Sequence, residues 1–122
     1  MSVIAFDLDD VICSRTSDEG PVEKYKTCYP HQDMVDLVNN CYDKGHTIII
    51  YTARGMTGFQ GDVDKIHDNL FHLTQDHLDE WGVKFHKLIM GKAHYDILID
   101  DKAMNSLRVK EIKDIEDFLE KK

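Results

Sequence analysis

Two pairs of carboxylates, Asp7/Asp9 and Asp100/Asp101, each close a run of apolar residues, Val3–Phe6 before the first and Ile97–Ile99 before the second. A carboxylate at the end of a buried strand loses its water and needs a cationic partner. Alternation along an extended backbone sends Asp7 and Asp9 to one side and Leu8 to the other. Acids placed in this way suit a divalent metal and chemistry carried out beside it. The Asp-x-Asp tripeptide alone says little, since the chain holds 17 aspartates and repeats the pattern at Asp62/Asp64. Its information lies in its place after a hydrophobic run and in the second acid pair downstream.

The elements that must position these acids follow from hydrophobic periodicity. Val3–Phe6 reads as a strand buried on both faces, as in the middle of a parallel sheet. A polar, irregular stretch from Cys13 to Tyr29, with Gly20-Pro21 as a turn signal, is a candidate lid or binding loop. Pro30 suits the first turn of a helix whose inward residues are Met34, Val35, Val38, Cys41 and Tyr42, and Gly45 stops it. Thr47–Thr52 is a second strand, rich in β-branched residues. Ala53 to Gly61 is a loop, and Asp62 caps a second helix with Val63, Ile66, Leu70, His77, Leu78 and Trp81 near one stripe. Val83–Met90 reads as a third strand, Gly91-Lys92-Ala93 as a short connection, and Tyr95–Asp101 as a fourth strand. A helix from about Val109 turns Ile112, Ile115, Phe118 and Leu119 inward.

Strands alternating with helices imply an α/β fold, a Rossmann-like parallel sheet sandwiched by helices, in one domain over residues 1–122. Such sheets bind ligands beyond the carboxyl ends of their strands. Asp7/Asp9, Thr52, Lys92 and Asp100/Asp101 all fall at or just past predicted strand ends, so the fold would gather them on one edge.

Composition bounds the function. A net charge of −8 argues against a nucleic-acid backbone or an anionic membrane surface as partner. Three cysteines are an odd number, which disfavours a disulfide framework and fits a reducing cytosol. No apolar run approaches membrane-spanning length and no secretory leader pattern opens the chain, so a cytoplasmic protein is expected. The histidines form no zinc pattern: Cys28-x-x-His31 and Cys41-x4-His46 lack the second pair such a site uses. Cys13 has no arginine at the spacing of a cysteine-phosphatase loop. Neither a dinucleotide-binding glycine motif nor a Walker loop occurs.

The order FDLDD at the first strand end, IIIYT at the second, an isolated Lys92, and ILIDD at the fourth resembles the haloacid-dehalogenase (HAD) superfamily of phosphohydrolases. More narrowly, YTARG and LIDDKA are similar to the small capsular-polysaccharide-biosynthesis phosphatases of bacteria. The resemblance spans nearly the whole chain and implies a HAD-like fold and a phosphomonoesterase. Asp7 would be the nucleophile that forms an aspartyl-phosphate, and Asp9 the acid for the leaving alcohol and then the base for water. Thr52 and the backbone N–H of Ala53 would hold phosphate oxygens, and Lys92 would place a charge against phosphate and nucleophile. Mg²⁺ would sit on Asp7, the backbone carbonyl of Asp9, and Asp100.

Several roles stay open at this point. Lys87 competes with Lys92 as the site cation. Asp101 is either a supporting acid or a helix cap for Ala103 onward, and Arg54 either reaches substrate or is a solvated loop residue. Only 20 residues, 10–29, separate Asp9 from Pro30, so no cap domain fits there. An open site would admit a large substrate or be covered by a second subunit. The expected substrate is a small phosphorylated metabolite, a sugar or polyol phosphate of cell-surface polysaccharide synthesis. The alternatives are a phosphotransferase and a catalytically silent binding module. A receiver-type domain is disfavoured because its phosphorylated aspartate ends the third strand, which here ends in Leu88-Ile-Met90.

Overall fold

The computed structural model describes residues 1–121. Its elements follow the chain as β1 (Val3–Phe6), β2 (Cys13–Ser14), α1 (Glu23–Lys26), β3 (Tyr29–Pro30), α2 (Gln32–Asp43) and β4 (Thr47–Thr52). A long helical run comes next: α3 (Val63–Ile66) passes through a π-wound stretch, His67–Phe71, into α4 (His72–Glu80). The strand β5 (Lys87–Met90), a single 3₁₀ turn (Ser106–Arg108) and α5 (Ile112–Glu120) complete the order. The architecture is α/β, a three-stranded parallel sheet flanked by helices and compatible with a Rossmann-like fold.

The sheet order is β1-β4-β5, with Phe6 opposite Ile50 and Thr52 opposite Met90. β4 is central because it is the longest strand and carries three consecutive isoleucines, whose branched side chains fit a pleated surface. Its two faces differ. Ile48, Ile50 and Thr52 are buried, whereas Thr47 and Tyr51 are exposed and Ile49 is half-buried. The buried face meets Val35, Val38 and Cys41 of α2, with Leu78 of α4 in the same core. A second, smaller core joins Ile66 and Leu70 to Tyr25 and Met90. The other face of the sheet borders a cavity of about 700 Å³, walled by β1, Tyr51, the chain around Leu98–Met104 and Ile115, Phe118 and Leu119 of α5.

Helix ends follow local chemistry. The Asp62 carboxylate accepts the Lys65 backbone N–H at 3.2 Å and starts α3. At α5 a capping box forms: the Glu111 side chain takes the backbone N–H of Asp114, and the Asp114 side chain takes that of Glu111.

Four expectations require correction. Tyr95–Asp101 forms no strand; it is irregular, and Ile97 and Ile99 are 75% and 90% exposed. A strand parallel to β5 in the same sheet must re-enter from the opposite edge, and such crossovers take a dozen or more residues. Only residues 91–94 are available here. β1 is consequently an edge strand, not a middle one, and Val3 is 65% exposed. Pro30 does not open α2 but lies in β3, opposite Cys13, where a strand at the margin tolerates its missing N–H. The third strand is shorter than expected, beginning at Lys87.

The Cys13–Tyr29 stretch is also less free than a lid would be. β2 and β3 pair antiparallel across it, and the buried Tyr25 of α1 accepts the Gly55 backbone N–H at 3.0 Å on its hydroxyl. Gly55 itself lies at φ +85°, and a Cβ there would meet Leu70 Cδ1 at 2.6 Å and Ile66 Cγ1 at 3.2 Å. Gly55→Ala is therefore expected to lower stability by about 2–4 kcal/mol, combining left-handed strain with overpacking. Urea unfolding measures it; a loss under about 0.5 kcal/mol would mean that the 53–61 loop is not held against the long helix.

Candidate functional site

Asp7 and Lys92 meet at the carboxyl end of the sheet. Lys92 follows β5 by two residues, and its backbone N–H donates to the Thr52 carbonyl at 3.0 Å, which locks the connection to the end of β4. Its ammonium then reaches Asp7 Oδ2 at 3.2 Å. Asp7 Oδ1 accepts the Leu8 backbone N–H at 2.8 Å, so both carboxylate oxygens are oriented. Burial alone would lower the Lys92 pKa, but hydrogen bonding to Tyr95 and the charge of Asp7 outweigh it and raise it. The Lys92 ammonium also lies 5.3 Å from the Tyr95 ring centre and 5.9 Å from that of Tyr51. Lys87 makes no such contact; it is exposed and on β5, opposite Ile49. Lys92 is the cation of this site.

Asp9 goes elsewhere. After β1 the chain folds tightly, with the backbone N–H groups of Val11, Ile12 and Cys13 all donating to the Leu8 carbonyl and Asp10 at φ +68°. Strand alternation has ended by then, and Asp9 faces Arg54. Arg54 Nε donates to Asp9 Oδ2 at 3.1 Å and Nη2 to Oδ1 at 2.8 Å, a two-pronged ion pair. Arg54 is only 2% exposed, so it is neither a solvated loop residue nor within reach of the cavity.

Every face of that guanidinium is used. Nη1 donates to Thr74 Oγ1 at 3.3 Å and lies 3.4 Å from His77 Nδ1, both on α4. Nη2 also approaches Cys13 Sγ at 3.6 Å and Cys28 Sγ at 3.7 Å. The Tyr25 ring stacks 4.6 Å from its central carbon. Burial by itself would lower the Arg54 pKa, and the Asp9 carboxylate more than restores it. No periodicity joins residue 54 to residues 9, 13, 25, 28, 74 and 77. The one legible signal was an arginine two residues after a strand end in a chain rich in acids.

The remaining expected site residues divide. Asp100 borders the same cavity as Asp7 and Lys92, and its Oδ1 accepts the Lys102 backbone N–H at 2.9 Å. Thr52 is buried, and its hydroxyl accepts the Arg54 backbone N–H at 3.0 Å, so it braces the loop and does not line the cavity. Ala53 is half-buried beside it. No helix begins at Ala103, which removes the cap role for Asp101; the short turn after it is capped by Asn105, accepting the Leu107 N–H at 2.9 Å. The structure thus assembles Asp7, Lys92 and Asp100 around one cavity. Asp9, Thr52 and Arg54 form an adjoining buried network.

No family model and no curated protein matches the chain. Among solved structures, the crystal structure of an MCSG target from Vibrio cholerae is similar, with a TM-score of 0.84 and 25% identity over 99% of this chain and 98% of that one. This likeness supports the α/β architecture along almost the whole chain. Among the described residues, no helix is long and apolar enough to cross a membrane.

His77 generates a pH prediction. Burial first, and then the Arg54 charge, lower its pKa below the ordinary histidine value. The unfolded chain takes up that proton near pH 6.5 and the folded one resists it. Stability is therefore full above about pH 6.5 and falls as pH drops from there toward the lower folded value. Thermal unfolding between about pH 7.5 and 5 should show a decline that is shallower in His77→Gln. Equal slopes would remove His77 from the network.

Proposed function

We propose that the protein is a Mg²⁺-dependent phosphomonoesterase of HAD type, without a cap domain, acting through an aspartyl-phosphate on Asp7. The observation that carries this reading is the Lys92–Asp7 contact at the carboxyl edge of a parallel sheet, with Asp100 on the rim of the same cavity. The order of motifs along the chain, similar to that of the HAD phosphohydrolases, supports it.

Phosphoryl transfer needs little covalent machinery beyond an aligned nucleophile and positive charge for the phosphate oxygens. Asp7 is half-buried and aimed, its Oδ1 tied to a backbone N–H and its Oδ2 beside an ammonium. It would attack phosphorus as the ester oxygen leaves. Lys92 would balance the charge of nucleophile and phosphate together, and its salt bridge to Asp7 keeps it in place beforehand. Asp9 is the acid and base that the resemblance implies. To exchange a proton with the leaving alcohol or the water, it would have to leave its two-pronged pair with Arg54 and turn toward the cavity, which it does not line.

The donor set fits magnesium: Asp7 and Asp100 both offer hard carboxylate oxygens to one cavity, and the Asp9 side chain is engaged by Arg54, leaving its backbone carbonyl as the third expected ligand. When bound, the ion would neutralise phosphate charge and orient the group for in-line attack. Tyr51 and Tyr95 beside Lys92 present partly exposed rings to the cavity, a surface suited to the apolar face of a sugar ring. A sugar or polyol phosphate used for cell-surface polysaccharide, handled in the cytoplasm, is the substrate class we favour.

The test is phosphate release from a panel of phosphorylated sugars, polyols and nucleotides, with Mg²⁺ and with EDTA. Turnover should require the metal, vanish in Asp7→Asn, and fall by about 10²-fold or more in Lys92→Met. Absence of turnover across the panel, in protein that binds Mg²⁺, would instead favour a silent binding module. Transfer of the phosphate to a second alcohol would favour a phosphotransferase.

A further inference from the structure

We propose that Asp9, Cys13 and Cys28 form a second cation site, separate from the Asp7–Asp100 cavity, that takes a thiophilic divalent ion such as Zn²⁺ in exchange for the Nη2 group of Arg54. One ligand atom from each of the three residues lies within 4.8 Å of the other two, and Cys13 Sγ stands 3.4 Å from Asp9 Oδ1. Zinc bonds to thiolate and carboxylate place neighbouring ligand atoms about 3.5–3.8 Å apart in a tetrahedron. The trio therefore needs a contraction of about 1 Å at most to close on an ion.

A cation already sits among them. Arg54 Nη2 is 2.8 Å from Asp9 Oδ1, 3.6 Å from Cys13 Sγ and 3.7 Å from Cys28 Sγ. A guanidinium N–H fills that position with one directional bond and two weak sulfur contacts. A soft metal would fill it with three strong bonds, and two sulfurs select against Mg²⁺. Entry is from the side of Cys28, which is half-buried, and of the Asp9 carboxylate, 18% exposed; Cys13 is sealed behind them.

The exchange is balanced in protons and charge. Burial raises the pKa of both thiols, so the resting site holds guanidinium, carboxylate and two S–H groups. As each sulfur bonds the metal its proton leaves to solvent, so two protons depart for one divalent ion. The Arg54 side chain swings aside and stays cationic. Occupancy would withdraw Asp9 Oδ1 from proton transfer; that consequence rests on the phosphatase reading, and the binding itself does not.

The experiment titrates the full-length, fully reduced protein with Co²⁺ in excess Mg²⁺ and follows thiolate-to-cobalt charge-transfer absorption. One Co²⁺ per chain with that absorption, displaced by Zn²⁺, is the expected result. Cys28→Ser should weaken the binding by about tenfold or more, and Arg54→Met should tighten it by a similar factor because the competing cation is gone. Cys41→Ser, which alters a buried cysteine of α2 that is not one of the trio, should keep the absorption. Near-UV circular dichroism confirms that each variant is folded. Absence of the thiolate band in the wild-type protein, its persistence unchanged in Cys28→Ser, or unaltered affinity in folded Arg54→Met would each overturn the site.

Discussion

The Arg54 guanidinium is the constraint on which the region beyond the sheet depends. An arginine cannot shed its charge, and taking that charge out of water costs several kcal/mol unless partners replace the lost hydration. The fold supplies them from three separate parts of the chain: Asp9 and Cys13 after β1, Tyr25 and Cys28 around α1, and Thr74 and His77 on α4. Removing a partner leaves a buried charge unpaired, so these segments are held together as a unit. The short β2–β3 pair and the single turn of α1 each bury one side chain, Cys13 and Tyr25, and both lie against the Arg54 guanidinium.

This network also separates the two acids of the first motif. Asp7 and Asp9 are two residues apart, and each has its own cation, Lys92 for one and Arg54 for the other. The pairs differ in environment. Lys92 stands at the wall of a cavity with its carboxylate partner half-exposed, whereas Arg54 lies beneath the surface. A carboxylate beside a reachable ammonium suits contact with an anionic ligand, and one clamped on both oxygens by a buried guanidinium suits a fixed orientation. The tight turn at Leu8 makes this division possible, because it ends strand alternation immediately after Phe6.

The open edge of β1 shapes the remaining half of the site. With β4 central and β5 on its far side, no strand among the described residues pairs with the outer edge of β1, and the chain from Tyr95 to Asn105 passes around a cavity there. Apolar side chains at Ile97 and Ile99 consequently face solvent, an arrangement that leaves apolar area without the burial that normally stabilises a fold. Gly91 at φ +92° turns the chain at the end of β5, and the Lys92 N–H bond to Thr52 holds that turn at the carboxyl edge of the sheet.

Local pattern was enough for the elements whose stability is local or whose burial is periodic. The apolar run of β1, the isoleucines of β4, the stripe of α2, the Asp62 cap and the α5 amphipathic face were all legible in the chain, and Asp7 and Lys92 stood out by their places after strands. The Tyr95–Asp101 strand was misread, because an apolar run states only that burial is favourable and not whether a neighbour is within reach. The direction of Asp9, the inward turn of the Thr52 hydroxyl and the whole Arg54 network were decided by tertiary structure. Their partners lie up to 45 residues apart, and a buried charge chooses its company by distance in space, which no spacing along the chain encodes.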